Sequence, residues 1–90
     1  MKTCMTVSGK VQGVGFRYTT KMVADQLGIF GIVRNEPNGD VYIEAQGEEQ
    51  AMLAFIEAIK KSPAPFGRVD QVIFHEKETC EDYRKFSVTN

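Results

Sequence analysis

Ninety residues, 42% of them hydrophobic and 26% charged, have the composition of a single folded globular unit rather than a disordered or membrane-embedded chain, and at this length folding buries roughly 60–65% of the unfolded surface. A formal charge of -1 and an isoelectric point near 5.8 argue against a domain that binds by neutralising many nucleic-acid phosphates, and leave room for a local anion site. No run reaches membrane-spanning length, Met1 to Ser8 lack the marks of a signal peptide, and Cys4 and Cys80 form neither a CxxC pair nor a metal-ligand spacing, so a cytoplasmic protein with reduced thiols and no bound metal or membrane contact is expected.

Alternation from Thr3 to Ser8 predicts a first strand, with Met5 and Val7 on one face and Cys4, Thr6 and Ser8 on the other. Three glycines follow, at 9, 13 and 15. From Phe16 the period becomes helical through Thr19, Met22, Val23, Gln26 and Leu27, and Gly28 stands where a C-terminal cap belongs. Ile29 to Asn35 is rich in strand formers, Asn38-Gly39 signals a tight hairpin, and Val41, Ile43 and Ala45 alternate with Tyr42, Glu44 and Gln46. Glu48 and Glu49 open a second helix with the stripe Met52, Phe55, Ile56 and Ile59, closed by Lys60 and Lys61, charges that suit the helix dipole. Ser62-Pro63-Ala64-Pro65 breaks the pattern. Arg68 to Glu76 reads as a strand in which Val69 and Val72, three apart, imply a bulge or a late start. Tyr83 to Val88 offers a short final strand.

This βαββαβ order with an extra terminal strand predicts the α+β class: a ferredoxin-like sandwich with two helices on one face of an antiparallel sheet, residues 1–90 forming one domain. The scaffold hosts enzymes, RNA binders and regulatory modules alike, so function has to be read from a site.

The run Val11 to Arg17, VQGVGFR, is the least ordinary in the chain. Glycines at 13 and 15 permit the alternating backbone that turns successive N–H groups into one anion-binding cup. A helix starting near Phe16 adds its unpaired N–H groups and the positive end of its dipole. Arg17, in the first turn, leans back over the loop, where a guanidinium can grip phosphate through two parallel hydrogen bonds. The same glycine spacing also fits a plain turn with Arg17 in solvent, and Asn35, close to Pro37 and Asn38-Gly39, also fits a turn-entry asparagine. Other phosphate loops do not fit: Val11 follows Gly9-Lys10 where a P-loop needs serine or threonine, and Tyr18 stands where a dinucleotide loop needs its third glycine.

Val7-Ser8-Gly9-Lys10-Val11-Gln12-Gly13-Val14-Gly15-Phe16-Arg17 resembles the first signature of the acylphosphatase family over its whole length. Gly31-Ile32-Val33-Arg34-Asn35-Glu36-Pro37-Asn38-Gly39-Asp40-Val41, with Gly47 six residues later, resembles the second, except that Ile32 replaces the usual aromatic. The resemblance spans essentially the whole chain. It implies hydrolysis of the mixed anhydride of a carboxylate and phosphate, with small acyl phosphates as substrates and inorganic phosphate as product and competitive ligand. It further implies that backbone N–H groups of Gln12, Gly13, Val14, Gly15, Phe16 and Arg17 surround the phosphoryl group, that Arg17 binds it, and that Asn35 positions the attacking water, with the substrate's own phosphate as the available base. No cofactor is implied, and a monomer is the expectation for a site completed within one chain.

Two other classes compete: a phosphate-binding module without turnover, and an RNA-binding ferredoxin-like domain. For the latter, the aromatics of GVGFRY would need a strand face, whereas here they open a helix. His75 reads as a strand-surface residue without partners, Cys4 lacks an activating base, and the role of Tyr18 is open.

Overall fold

The computed structural model describes residues 1–75 and 81–89. The elements follow in the expected order: β1 (Lys2–Lys10), α1 (Phe16–Leu27), β2 (Phe30–Asn35), β3 (Val41–Gln46), α2 (Glu49–Lys60), β4 (Arg68–His75) and β5 (Phe86–Thr89). β5 begins three residues later than Tyr83, and Glu76 and Cys80 lie outside the described residues.

The strands form one sheet in the order β4-β1-β3-β2-β5. β1 is antiparallel to both β3 and β4, and β2 to β3. β5, however, runs parallel to β2, from Gly31 opposite Phe86 to Arg34 opposite Thr89, so the sheet is mixed and the expectation of a wholly antiparallel sheet is corrected at this edge. Periodicity identifies a strand but not the edge it joins. β4 and β5 occupy opposite edges, and a chain that leaves one edge and returns at the other can arrive in either direction.

Both helices cover one face, where their stripes and the inward strand residues close a single core: Phe16 and Ala24 from α1, Met52, Phe55 and Ile59 from α2, with Met5, Val7, Val33, Ile43 and Phe86 from the sheet, all buried. Phe55 and Phe86 meet edge to face at 6.0 Å between centroids. Burying a side chain of this size stabilises the fold by about 1.5–3 kcal/mol. The α2 stripe is as its sequence predicts. On α1 the period is right but the phase is shifted: Phe16, Thr20 and Ala24 are the buried residues, while Met22 is 60% exposed. Gly28 caps α1 at φ 71°, the left-handed conformation its position suggested.

The three-residue step between Val69 and Val72 is a bulge: Ser8 pairs with Gln71 and Gly9 with Val69, leaving Asp70 over. Gly9 sits opposite at φ 136°, and a Cβ there would lie 2.2 Å from the Arg68 carbonyl oxygen.

The sheet face away from the helices is also covered. Cys4, Tyr42, Glu44 and Gln46 are buried there, although their alternation with the apolar residues gave no sign of it. Residues 81–83 lie against them: the Gln46 side chain donates to the Glu81 carbonyl and accepts from the Tyr83 N–H at 2.9 Å. The Glu44 carboxylate accepts from the Tyr42 hydroxyl at 2.7 Å and the Tyr83 hydroxyl at 2.6 Å. The Arg34 guanidinium stacks on the Tyr42 ring at 4.5 Å. Burial first, then the Glu44 carboxylate and the Cys4 thiol, hold the Tyr42 phenol far above its ordinary range, so it remains a donor. Among the described residues no helix is long and apolar enough to cross a membrane.

Candidate active site

Five residues, Val11 to Gly15, join β1 to α1. Their ends are pinned by the buried side chains of Val11 and Phe16, which leaves the glycines between them to set the curvature. Gly13 and Gly15 take φ of 76° and 79°, the left-handed region that L side chains avoid. A Cβ at either would meet nothing within 4 Å, so glycine is required here by conformation and not by space.

Gly15 is also the N-cap of α1. No side chain caps this end and no acidic residue occupies its first turn, whereas α2 carries Glu49 in the equivalent turn. The helical ladder begins with the Thr19 N–H donating to the Gly15 carbonyl at 3.1 Å. The N–H groups of Phe16, Arg17 and Tyr18 precede it and have no acceptor within the helix, so the positive end of α1 is not neutralised from within.

Above this end lies a cleft of about 150 Å³ lined by Val11, Gly13, Gly15, Phe16, Arg17, Tyr18 and Asn35. Five residues expected at the site, Gly13, Gly15, Phe16, Arg17 and Asn35, therefore share one hollow. Two others do not line it. Val14 packs, partly buried, against the core. Gln12 turns toward the β2–β3 hairpin, where its amide nitrogen donates to the carbonyls of Glu36 and Asp40, each at 2.8 Å. It ties the glycine loop to the turn that follows Asn35, a contact the sequence does not advertise because both acceptors are backbone.

Arg17 is half-buried, and its Nη1 donates to the Thr89 carbonyl at 3.1 Å. That carbonyl belongs to β5, so the parallel edge strand holds the guanidinium at the cleft. No residue type in the sequence could have marked it. Arg34 and Arg68 pair with Glu36 and Asp70, but Arg17 pairs with no carboxylate among the described residues, and its charge is left for the cleft.

Asn35 ends β2 on the same strand face as Gly31 and Val33. Its Oδ1 is buried and accepts no hydrogen bond from any described residue. A bare buried acceptor costs about 1–3 kcal/mol; Thr20 Oγ1 is in the same position within α1, but of the two only Asn35 borders this cleft. Asn35 also borders a wider hollow of about 510 Å³, lined by Arg34, Glu36 and Pro37. Ile32, by alternation, falls on the opposite face of β2 and does not line the cleft.

The other described candidates, His75 and Cys4, lie elsewhere. Exposed His75 has Nε2 2.6 Å from the Thr6 hydroxyl on the far side of the sheet. Cys4 is buried beneath Tyr42 on that same face. Tyr18 joins the cleft lining, where sequence reasoning assigned it no role.

Arg17, the uncapped start of α1 and two left-handed glycines thus line one cleft together with Asn35, whose amide oxygen is buried beside it. Such a geometry suits a tetrahedral anion with a polar neighbour. The acylphosphatase family model matches residues 4–88. The acylphosphatase of Enterococcus faecalis is 54% identical over 87 residues, covering 97% of this chain and 96% of its own. That of Lactiplantibacillus plantarum is 46% identical over 86 residues, covering 96% and 94%. The crystal structure of acylphosphatase from Bacillus subtilis superimposes with a TM-score of 0.91 at 38% identity, over 99% of this chain and 98% of that one.

Proposed function

The chain belongs to the acylphosphatase family, and on that premise we propose that it hydrolyses the carboxyl–phosphate bond of small acyl phosphates in the cleft between the glycine loop, the start of α1 and the end of β2. The observation that carries this reading is the convergence of an uncapped helix start and a carboxylate-free Arg17 on a cleft that Asn35 also lines.

In this mechanism the backbone N–H groups of Gly13, Gly15, Phe16 and Arg17, residues that line the cleft, and the Arg17 guanidinium hold the phosphoryl oxygens. In a loose phosphoryl-transfer transition state charge spreads over the three equatorial oxygens, so fixed donors already aimed at them lower the barrier without rearranging. Asn35 aims the water. In this reading the amide turns Oδ1 toward the cleft, where it accepts one hydrogen bond from the nucleophile. The water oxygen bonds to phosphorus as the bond from phosphorus to the acyl oxygen breaks, and the carboxylate departs with the electron pair. The water proton passes to a phosphoryl oxygen of the substrate, because an amide is no base. The products are a carboxylate and inorganic phosphate, and the latter competes for the same cradle.

Carboxylate is a good leaving group and needs no acid to protonate it, so this chemistry asks for no metal, cofactor or covalent nucleophile. On the same proposal the protein is a monomer, residues 1–90 forming one domain, and acts in the cytoplasm.

The test is release of benzoate and phosphate from benzoyl phosphate, with and without chelator. Wild-type turnover is expected to survive the chelator. Arg17→Ala is expected to lose about 100- to 1000-fold in kcat and to bind phosphate more weakly. Asn35→Ala is expected to lose turnover while keeping the inhibition constant for inorganic phosphate, since its partner is water. Loss of phosphate affinity in Asn35→Ala with kcat intact would reverse that assignment. A folded protein that binds phosphate without turnover would instead be a binding module.

A further inference from the structure

An acyl phosphate has two ends of opposite character, and the proposed cradle accounts for only one. The polar end of the cleft is made of glycine backbone, Arg17 and Asn35. The apolar lining residues differ sharply in what they can offer a ligand. Val11 and Phe16 are each 1% exposed, their surfaces already spent on the core. Tyr18 is 66% exposed. Among the residues that line the cleft it alone presents a large ring to solvent. It sits in the first turn of α1, immediately after Arg17, where helical side chains lean back toward the N-terminus and so toward the loop. Met22, one turn on and 60% exposed, continues the apolar strip away from the cleft.

We infer that Tyr18 selects the acyl group: its ring forms the wall along which an apolar acyl group, an aromatic one above all, lies while the cradle holds the phosphoryl end. The inference rests on the function proposed above. An exposed aromatic at the rim of a polar cleft has little to do for the fold, which buries its other α1 anchors fully, but a flat amphipathic ring with few torsions gains contact area at small entropic cost. The charge that develops on the leaving group is carried by its carboxylate oxygens and not by the apolar group beyond them, so contact with that apolar group is nearly the same in ground and transition states. Its loss therefore appears in KM and not in kcat.

Two substrates and three variants test this. Tyr18→Ala is expected to lower kcat/KM for benzoyl phosphate about 3- to 10-fold, through KM, while kcat/KM for acetyl phosphate and the inhibition constant of inorganic phosphate change less than about twofold. Tyr18→Phe is expected to keep the wild-type preference, because the ring and not the hydroxyl makes the contact. Pro37→Ala, which trims the exposed side chain in the neighbouring hollow, is expected to leave the preference unchanged. An equal loss on both substrates in Tyr18→Ala, or no loss on benzoyl phosphate, overturns the inference. So does a selective loss in Pro37→Ala alone, which would route the acyl group over the hairpin. Absence of wild-type turnover on either substrate sinks the parent function and this inference together, whereas wild-type turnover with unselective variants sinks this inference only.

Discussion

Glycine 15 shows how a single residue can serve the site without touching a ligand through a side chain. It reverses the chain into α1 at φ 79°, and nothing crowds its missing Cβ. Gly15→Ala is expected to cost about 1–2 kcal/mol of stability from backbone strain alone, measured by urea unfolding, and to reduce turnover beyond that by tilting the N–H groups. Tyr42 illustrates the opposite case, a side chain remote from the cleft whose proton matters. Its phenol is held protonated by burial and by Glu44. A group whose folded pKa is raised contributes fully below its unfolded value, near 10, and loses that contribution as pH climbs above it. Wild type is therefore expected to lose stability above about pH 10 more steeply than Tyr42→Phe. At neutral pH the same variant is expected to be about 1–3 kcal/mol less stable, because the buried Glu44 carboxylate loses a donor.

At the scale of elements, the sequence told most about strands and helices whose punctuation is local. Asn38-Gly39, the Gly28 cap and the Val69–Val72 step each named a turn, an end or a bulge that the structure contains. The phase of α1 was less legible, because Met22 is apolar enough to suggest burial while small Ala24 and polar Thr20 do the packing. In β3 Val41, Ile43 and Ala45 alternate with Tyr42, Glu44 and Gln46, yet all six are buried, since alternation cannot foresee a segment that returns over the outer face. For the site, the glycines announced their conformation and the asparagine its strand end. The Gln12 clamp and the Thr89 carbonyl stayed hidden, because backbone acceptors carry no letter. Gly31 belongs with the legible residues only in hindsight: at φ 149°, a Cβ would stand 1.8 Å from the Glu44 carbonyl oxygen. Gly31→Ala is expected to force β2 and β3 apart and to destabilise by more than about 3 kcal/mol, visible as a lowered urea midpoint.

For the molecule as a whole, the last strand joins core and cleft. Phe86 is buried against Phe55 at one end of β5, and Thr89 reaches Arg17 at the other. Phe86→Ala is expected to cost about 3–5 kcal/mol, a large share of the 5–15 kcal/mol typical of a domain. The fraction that stays folded is expected to show weakened phosphate inhibition, because β5 would no longer register the guanidinium. The two residues of that contact are 72 positions apart in the chain. On a ribosome the arginine is therefore made long before the carbonyl that steadies it. With Arg17 in the role proposed above, turnover waits on β5, and it can serve as a readout of whether a nascent or refolding chain has seated that strand.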